Sequence, residues 1–187
     1  IMGIKAFNHG DDFVNKLVRA IASDSTGVDA LSPFVAQGTG LTATGGAISD
    51  YTSGSDVYRA HVFTSSGTFV VSQLSENIVG GDNIEYLVVA GGGAGGGVQP
   101  GSLFHGAGGG GGAGGLRTNL SGHPLAGSVF PVSTSPGSYT VTIGAGGVGG
   151  NGAGPGGSPS VFGPGITATG GGGGAGGVVT PQVAGDG

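Results

Sequence analysis

The chain has 187 residues, of which 49 are glycine and 9 proline, but glycine does not recur strictly at every third position, which excludes collagen. Five basic against ten acidic residues leave a net charge of −5, so no basic patch exists for nucleic acid, and no run of about 20 apolar residues predicts membrane insertion. Cysteine is absent, which removes disulfides, thiolate zinc sites and thiol nucleophiles.

The opening Ile1-Met2-Gly3-Ile4-Lys5 lacks the charged and apolar regions of a signal peptide and suggests a fragment or an incomplete start. Residues 11–23 are expected to form a short amphipathic α-helix. Phe13, Leu17 and Ile21 recur on one face, Asp11 and Asp12 sit where a helix N-terminus favours negative charge, and Gly27 and Pro33 end the pattern. A single helix of this length is marginal in water, so its apolar face must dock on something. Residues 1–44 are therefore read as an N-terminal docking segment. Residues 45–90 read as a β domain. Val57–Phe63, the turn signal Thr64-Ser65-Ser66-Gly67 and Thr68–Val71 predict a hairpin. Ile84–Ala90, the most apolar run, predicts a central strand buried on both faces.

Composition breaks near residue 90. Only 11 of the 49 glycines precede it, and beyond Tyr86 the only charged residues are Arg117 and Asp186. In the region 91–187, strands repeatedly run into glycine. Ile84–Ala90 enters Gly91–Gly97, Ser138–Ile143 enters Gly144–Gly150, and Ile166–Thr169 enters Gly170–Gly174. A fourth run, Gly106–Gly115, precedes Leu116-Arg117-Thr118. These runs mix Gly with Ala and Val and hold almost no Ser, unlike flexible linkers. Poly-glycine buries little apolar side chain, so only backbone hydrogen bonds and close packing can order it. Extended threefold helices laid side by side pair N–H and C=O laterally, with glycine where backbones touch and Ala or Val on the outside. Long glycine loops over a sandwich and plain disorder are the competing readings. The expected fold is mainly β: an antiparallel sandwich-like domain whose strands run into polyglycine II-like segments, plus one short N-terminal α-helix.

Enzyme signatures fail on their physics. Gly91-x-Gly93-x-x-Gly96 and Gly144-x-Gly146-x-x-Gly149 both match the dinucleotide fingerprint after a strand. Val98-Gln99-Pro100-Gly101 cannot start the required helix, and no carboxylate lies between Glu85 and Asp186 to hold a ribose. A phosphate-binding P-loop needs Gly-Lys-Ser/Thr, and no lysine follows Lys16. His9, His61, His105 and His123 show no helical metal spacing, the acidic residues lack calcium-loop spacing, and no Gly-x-Ser-x-Gly elbow is present. No enzyme, cofactor or metal is expected.

The ordered set Tyr58–Phe69, Ile84–Ala90 with its glycines, Gly108–Thr118, Pro136–Gly144 and Ser160–Gly170 resembles the glycine-rich virion proteins of tailed bacteriophages. Tail-fibre and adhesin proteins of marine and cyanobacterial phages are the nearest type, over roughly residues 45–177. The resemblance implies a non-enzymatic structural protein located in the virion. Its partners would be other virion proteins, further copies in a homotrimer, and a host cell-surface receptor. It also implies further glycine runs beyond residue 187, as if the C-terminus were truncated. Residues 1–44 fall outside it and would dock to the particle. Loops on a rigid scaffold concentrate recognition residues, which nominates Phe104, His105, Arg117, Asn119 and His123 for receptor contact. Alternatively, Phe104 and Leu116 cap the glycine layer as a small core. The other functional readings are a capsid decoration or head fibre, and an ice-binding or extracellular-matrix protein.

Overall fold

A computed structural model describes residues 2–8, 38–54, 56–98 and 107–177. The helix expected over 11–23, with Phe13, Leu17 and Ile21, lies outside the described residues, as do Phe104 and His105. The described residues are mainly β and contain no helix.

Among the described residues, eleven strands, β1 to β11 in chain order, form two antiparallel sheets. The first has the order β3 (Ala47–Ser53), β4 (Asp56–Phe63), β1 (Met2–Asn8), β6 (Asn83–Val89) and β7 (Leu116–Thr118), with β8 (Phe130–Pro131) also paired to β6. The second has the order β11 (Ile166–Ala168), β10 (Ser160–Phe162), β9 (Ser138–Thr142), β5 (Gly67–Gln73) and β2 (Thr42–Thr44).

One core lies between the sheets. Met2, Ile4, Phe63, Ile84, Tyr86 and Val88 enter it from the first sheet, and Phe69, Val71, Tyr139, Val141, Phe162 and Ile166 from the second. Alternation along each strand sends every second residue inward. The Phe162 ring sits at its centre, with centroids 6.0 Å from Phe69, 5.3 Å from Phe130 and 5.9 Å from Tyr139. Such edge-on and offset contacts add to simple burial.

Two sequence expectations change. Val57–Phe63 and Thr68–Val71 do not pair as a hairpin, because β4 and β5 belong to different sheets. The turn between them carries the chain across the core, where Phe63 and Phe69 are buried from opposite layers and Phe63 packs over Gly45, Gly46 and Gly67. β6 is central in its sheet but buried on one face only: Ile84, Tyr86 and Val88 point inward while Leu87 is 43% exposed. Within the segment 1–44, residues 2–8 and 42–44 are strands of the two sheets, and Met2 and Ile4 are core residues.

Candidate functional site

The glycine runs leave one end of the sandwich as five extended segments: 90–98 after β6, 107–115 before β7, 144–150 after β9, 152–158 before β10, and 169–177 after β11. Their hydrogen bonds recur at every third residue. N–H groups of Ala90, Gly93 and Gly96 donate to the carbonyls of Gly115, Gly112 and Gly109 at 3.0, 2.8 and 2.8 Å. Those of Gly91, Ala94 and Gly97 donate to Ser158, Pro155 and Gly152 at 3.0, 2.9 and 2.7 Å. Gly109, Gly112 and Gly115 donate onward to Ala175, Gly172 and Thr169, while Gly171, Gly174 and Gly177 donate to Gly91, Ala94 and Gly97. A step of three is the period of a threefold extended helix, which satisfies its backbone only through neighbours.

The pairings arrange the segments in two layers, with 107–115, 90–98 and 144–150 in one and 169–177 and 152–158 in the other. Backbones meet without side chains between them. A Cβ added to Gly93 would run into the Gly172 carbonyl, one on Gly157 into that of Gly91, and one on Gly170 into that of Gly157. Side chains appear on the rows that face out. Ala107 and Ala113, Ala145, Val148 and Asn151, Pro155 and Ser158, and Thr169 and Ala175 are all exposed. Ala90 and Ala94 are the exceptions among the described residues, and the Ala94 methyl, 6% exposed, lies 3.2 Å from where a Cβ of Gly147 would stand. The far end of the bundle brings together Val98, which bridges Gly177, with Ala107 and the Gly150–Gly152 turn.

Three of the nominated residues are among the described residues. Arg117, Asn119 and His123 lie at the near end, against the sheets. Asn119 substitutes for a strand residue: its Oδ1 accepts from the Tyr86 N–H at 2.9 Å and its Nδ2 donates to the Ile84 carbonyl at 2.8 Å. It thereby fills the gap along β6 between the stretch paired with β8 and the stretch paired with β7. Exposed Arg117 donates through Nε to the Thr167 carbonyl at 3.2 Å, tying β7 of one sheet to β11 of the other. His123 is half-buried, and its Nδ1 accepts from the Leu125 N–H at 3.1 Å. It flanks a groove of about 430 Å³ on the outer face of the first sheet, whose apolar wall is Leu87, Leu116 and Leu120.

The structure places His61 in the core. Fully buried, it donates from Nδ1 to the Gly45 carbonyl at 2.7 Å and meets the Phe69 ring edge-on at 5.1 Å. Burial is the main cause holding its pKa below the ordinary imidazole value. The sequence signal was its place two residues before Phe63 in an alternating strand, which sets both on the core face. Among the described residues, no group of three His, Asp or Glu side chains is placed to hold a metal ion, and no helix is long and apolar enough to cross a membrane.

Residues 64–187 match the glycine-rich domain family. The chain belongs to that family. The match opens at the turn after β4 and takes in β5 to β11 with every segment of the bundle, so the family's region contains the strand-fed glycine region. No curated protein and no solved structure matched the chain.

Proposed function

We propose that this protein is a structural component of a tailed-phage virion, a tail fibre or adhesin whose polyglycine II-type bundle is a stiff shaft presenting host-contact residues at its far end. The observation that carries the reading is the three-residue hydrogen-bond period linking five segments rooted in one sandwich. At a rise of about 3.1 Å per residue, the segment 90–98 reaches roughly 25 Å from the sheets. Such a shaft needs no chemistry of its own; it holds its end at a fixed distance and orientation.

The chain leaves the far end at Val98 and re-enters it at Ala107, and Phe104 and His105 lie in sequence between those anchors. Host contact is assigned to that end. Asn119 and Arg117 belong to the near end, where their side chains bond the sheets. In this reading the apolar positions Phe13, Leu17 and Ile21 attach the chain to other virion proteins.

Antibody labelling of intact particles that encode the chain tests the reading. Label at the tail is expected; label spread over the head would favour a decoration protein, and absence of the chain from particles would overturn the proposal. A Phe104→Ala, His105→Ala double variant should then bind host cells several-fold more weakly, with its amide-exchange pattern unchanged.

A further inference from the structure

The outward rows of the bundle carry side chains at several of their positions. Among the described residues, no strand pairs with the outer edge of the first sheet at β3. Strands β2, β7 and β11, which end the sheets elsewhere, have three residues each, whereas β3 has seven. All seven are exposed, with Ile48 at 49% and Tyr51 at 42%. Long edges are normally guarded by lysine, proline or a bulge. β3 has none of these: its register with β4 runs unbroken from Ala47 opposite Val62 to Ser53 opposite Asp56. Its single charge, Asp50, is held within the same copy by Arg59, whose Nε and Nη2 donate to Oδ1 and Oδ2 at 2.7 and 2.8 Å.

The direction of the edge amides follows from β4. The Val62 carbonyl points toward Gly46, so residue 62 bonds toward β3. Alternation then turns the main-chain groups of 47, 49, 51 and 53 to β4 and those of Ile48, Asp50 and Thr52 outward.

We propose that β3 pairs antiparallel with β3 of a second copy of this chain, about a two-fold axis at Tyr51, joining two first sheets into one. In this register Asp50 faces the partner's Thr52, and Tyr51 faces the partner's Tyr51. A register centred on Asp50 would instead set two carboxylates opposite each other, which is destabilising. Tyr51 already stacks on Tyr58 across the strand pair, centroids 5.5 Å apart and planes at 24°. Centring on Tyr51 extends that stack into a row of four rings. Main-chain bonds supply the affinity and the aromatic row fixes the register. The contact is two-fold and takes the place of the threefold assembly expected from fibre architecture. It does not depend on the functional reading, which particle labelling tests separately.

Mass photometry of the full chain at micromolar concentration should show a dimer. Thr52→Pro removes one outward N–H without touching a bond to β4, and should yield a monomer with an unchanged circular dichroism spectrum. The chain has no cysteine. Oxidised Tyr51→Cys chains should therefore cross-link, since residues opposite in a non-hydrogen-bonded pair stand about 4.5 Å apart at Cα, within disulfide reach. Ser49→Cys chains, which face the partner's Ser53, should not. A monomeric or trimeric wild type, a dimer that survives Thr52→Pro, or equal cross-linking of the two cysteine variants overturns the proposal.

Discussion

The sandwich and the glycine bundle are two solutions to one problem within a single chain. In the sandwich, Phe69, Phe162, Ile84 and Val88 are buried at 0–1% exposure, and removing apolar surface from water holds the sheets together. In the bundle almost nothing apolar is buried; Ala90 and Ala94 are its buried side chains among the described residues. Its contacts are hydrogen bonds between backbones, each contributing about 0.5–1.5 kcal/mol net, against about 1–2 kcal/mol of backbone entropy per ordered residue. The lattice therefore depends on its ends being fixed. Strands supply that fixing, since each described segment starts from or returns to β6, β7, β9, β10 or β11, directly or through the Gly150–Gly152 turn. A core position selects for volume, whereas an inward lattice position selects for the absence of a Cβ.

The dependence runs one way, and that asymmetry can be broken by mutation. Phe69→Ala should cost about 3–5 kcal/mol, because a fully buried ring at the centre of the core leaves a cavity. Amide exchange should then rise in both regions together. Gly93→Ala should cost about 1–3 kcal/mol, because its methyl would collide with the Gly172 carbonyl and backbone must move. Here faster exchange should be confined to 90–98 and 169–177, leaving β5 and β9 protected. Uniform loss of protection in Gly93→Ala would show that the two regions are one cooperative unit.

Asn119→Ala is expected next in size, at about 2 kcal/mol, since it strands the Tyr86 N–H and the Ile84 carbonyl along β6. Chemical denaturation measures it, and an effect below about 0.5 kcal/mol would mean that water replaces the amide. The two regions also separate by pH. The five bundle segments contain no ionisable side chain, so acid sensitivity must arise elsewhere. Among the described residues, His61 is the buried histidine of the sandwich, its pKa lowered first by burial and further by Arg59, with the Gly45 hydrogen bond and Asp50 opposing. The unfolded chain thus takes up this proton more readily than the folded one. The stability at stake is intact above the ordinary imidazole value of about 6.5 and is lost as pH falls below it. His61→Leu should flatten that acid limb in thermal scans; an unchanged limb would assign it to other groups.

How much of this was legible in the sequence differs between the regions for the same physical reason. Strand existence was readable from alternation: Ser138–Thr142 and Ile166–Ala168 carry it openly. Strand partnership was not, because alternation is identical whether Val57–Phe63 folds back on Thr68–Val71 or crosses to another sheet. Met2–Asn8 was missed because seven residues without a neighbouring turn signal give little pattern to read. In the glycine region the layout was present in an unusual code. Ala145, Val148 and Asn151 step by three, as do Ala107, Gly110 and Ala113, and each step marks the row that faces out. Asn119 looked like a loop contact residue because no local pattern reveals that its amide completes a distant strand.

The smallest expected effect is the sharpest test of the row rule, since it sets two adjacent glycines against each other. A Cβ on Gly172 meets nothing within 4 Å, whereas one on Gly171 would run into the Gly112 carbonyl. Neither glycine has a positive φ, so an alanine at either site is strained only by what it touches. Gly172→Ala should therefore stabilise by about 0.4–1 kcal/mol, through the entropy that alanine removes from the unfolded chain. Gly171→Ala should destabilise, because the same entropic gain is outweighed by backbone displacement. Paired thermal unfolding of the two variants decides it. Equal loss at both positions would mean that the segments rotate about their axes, and that the threefold rows are not fixed; opposite signs one residue apart would place the lattice rows to single-residue precision.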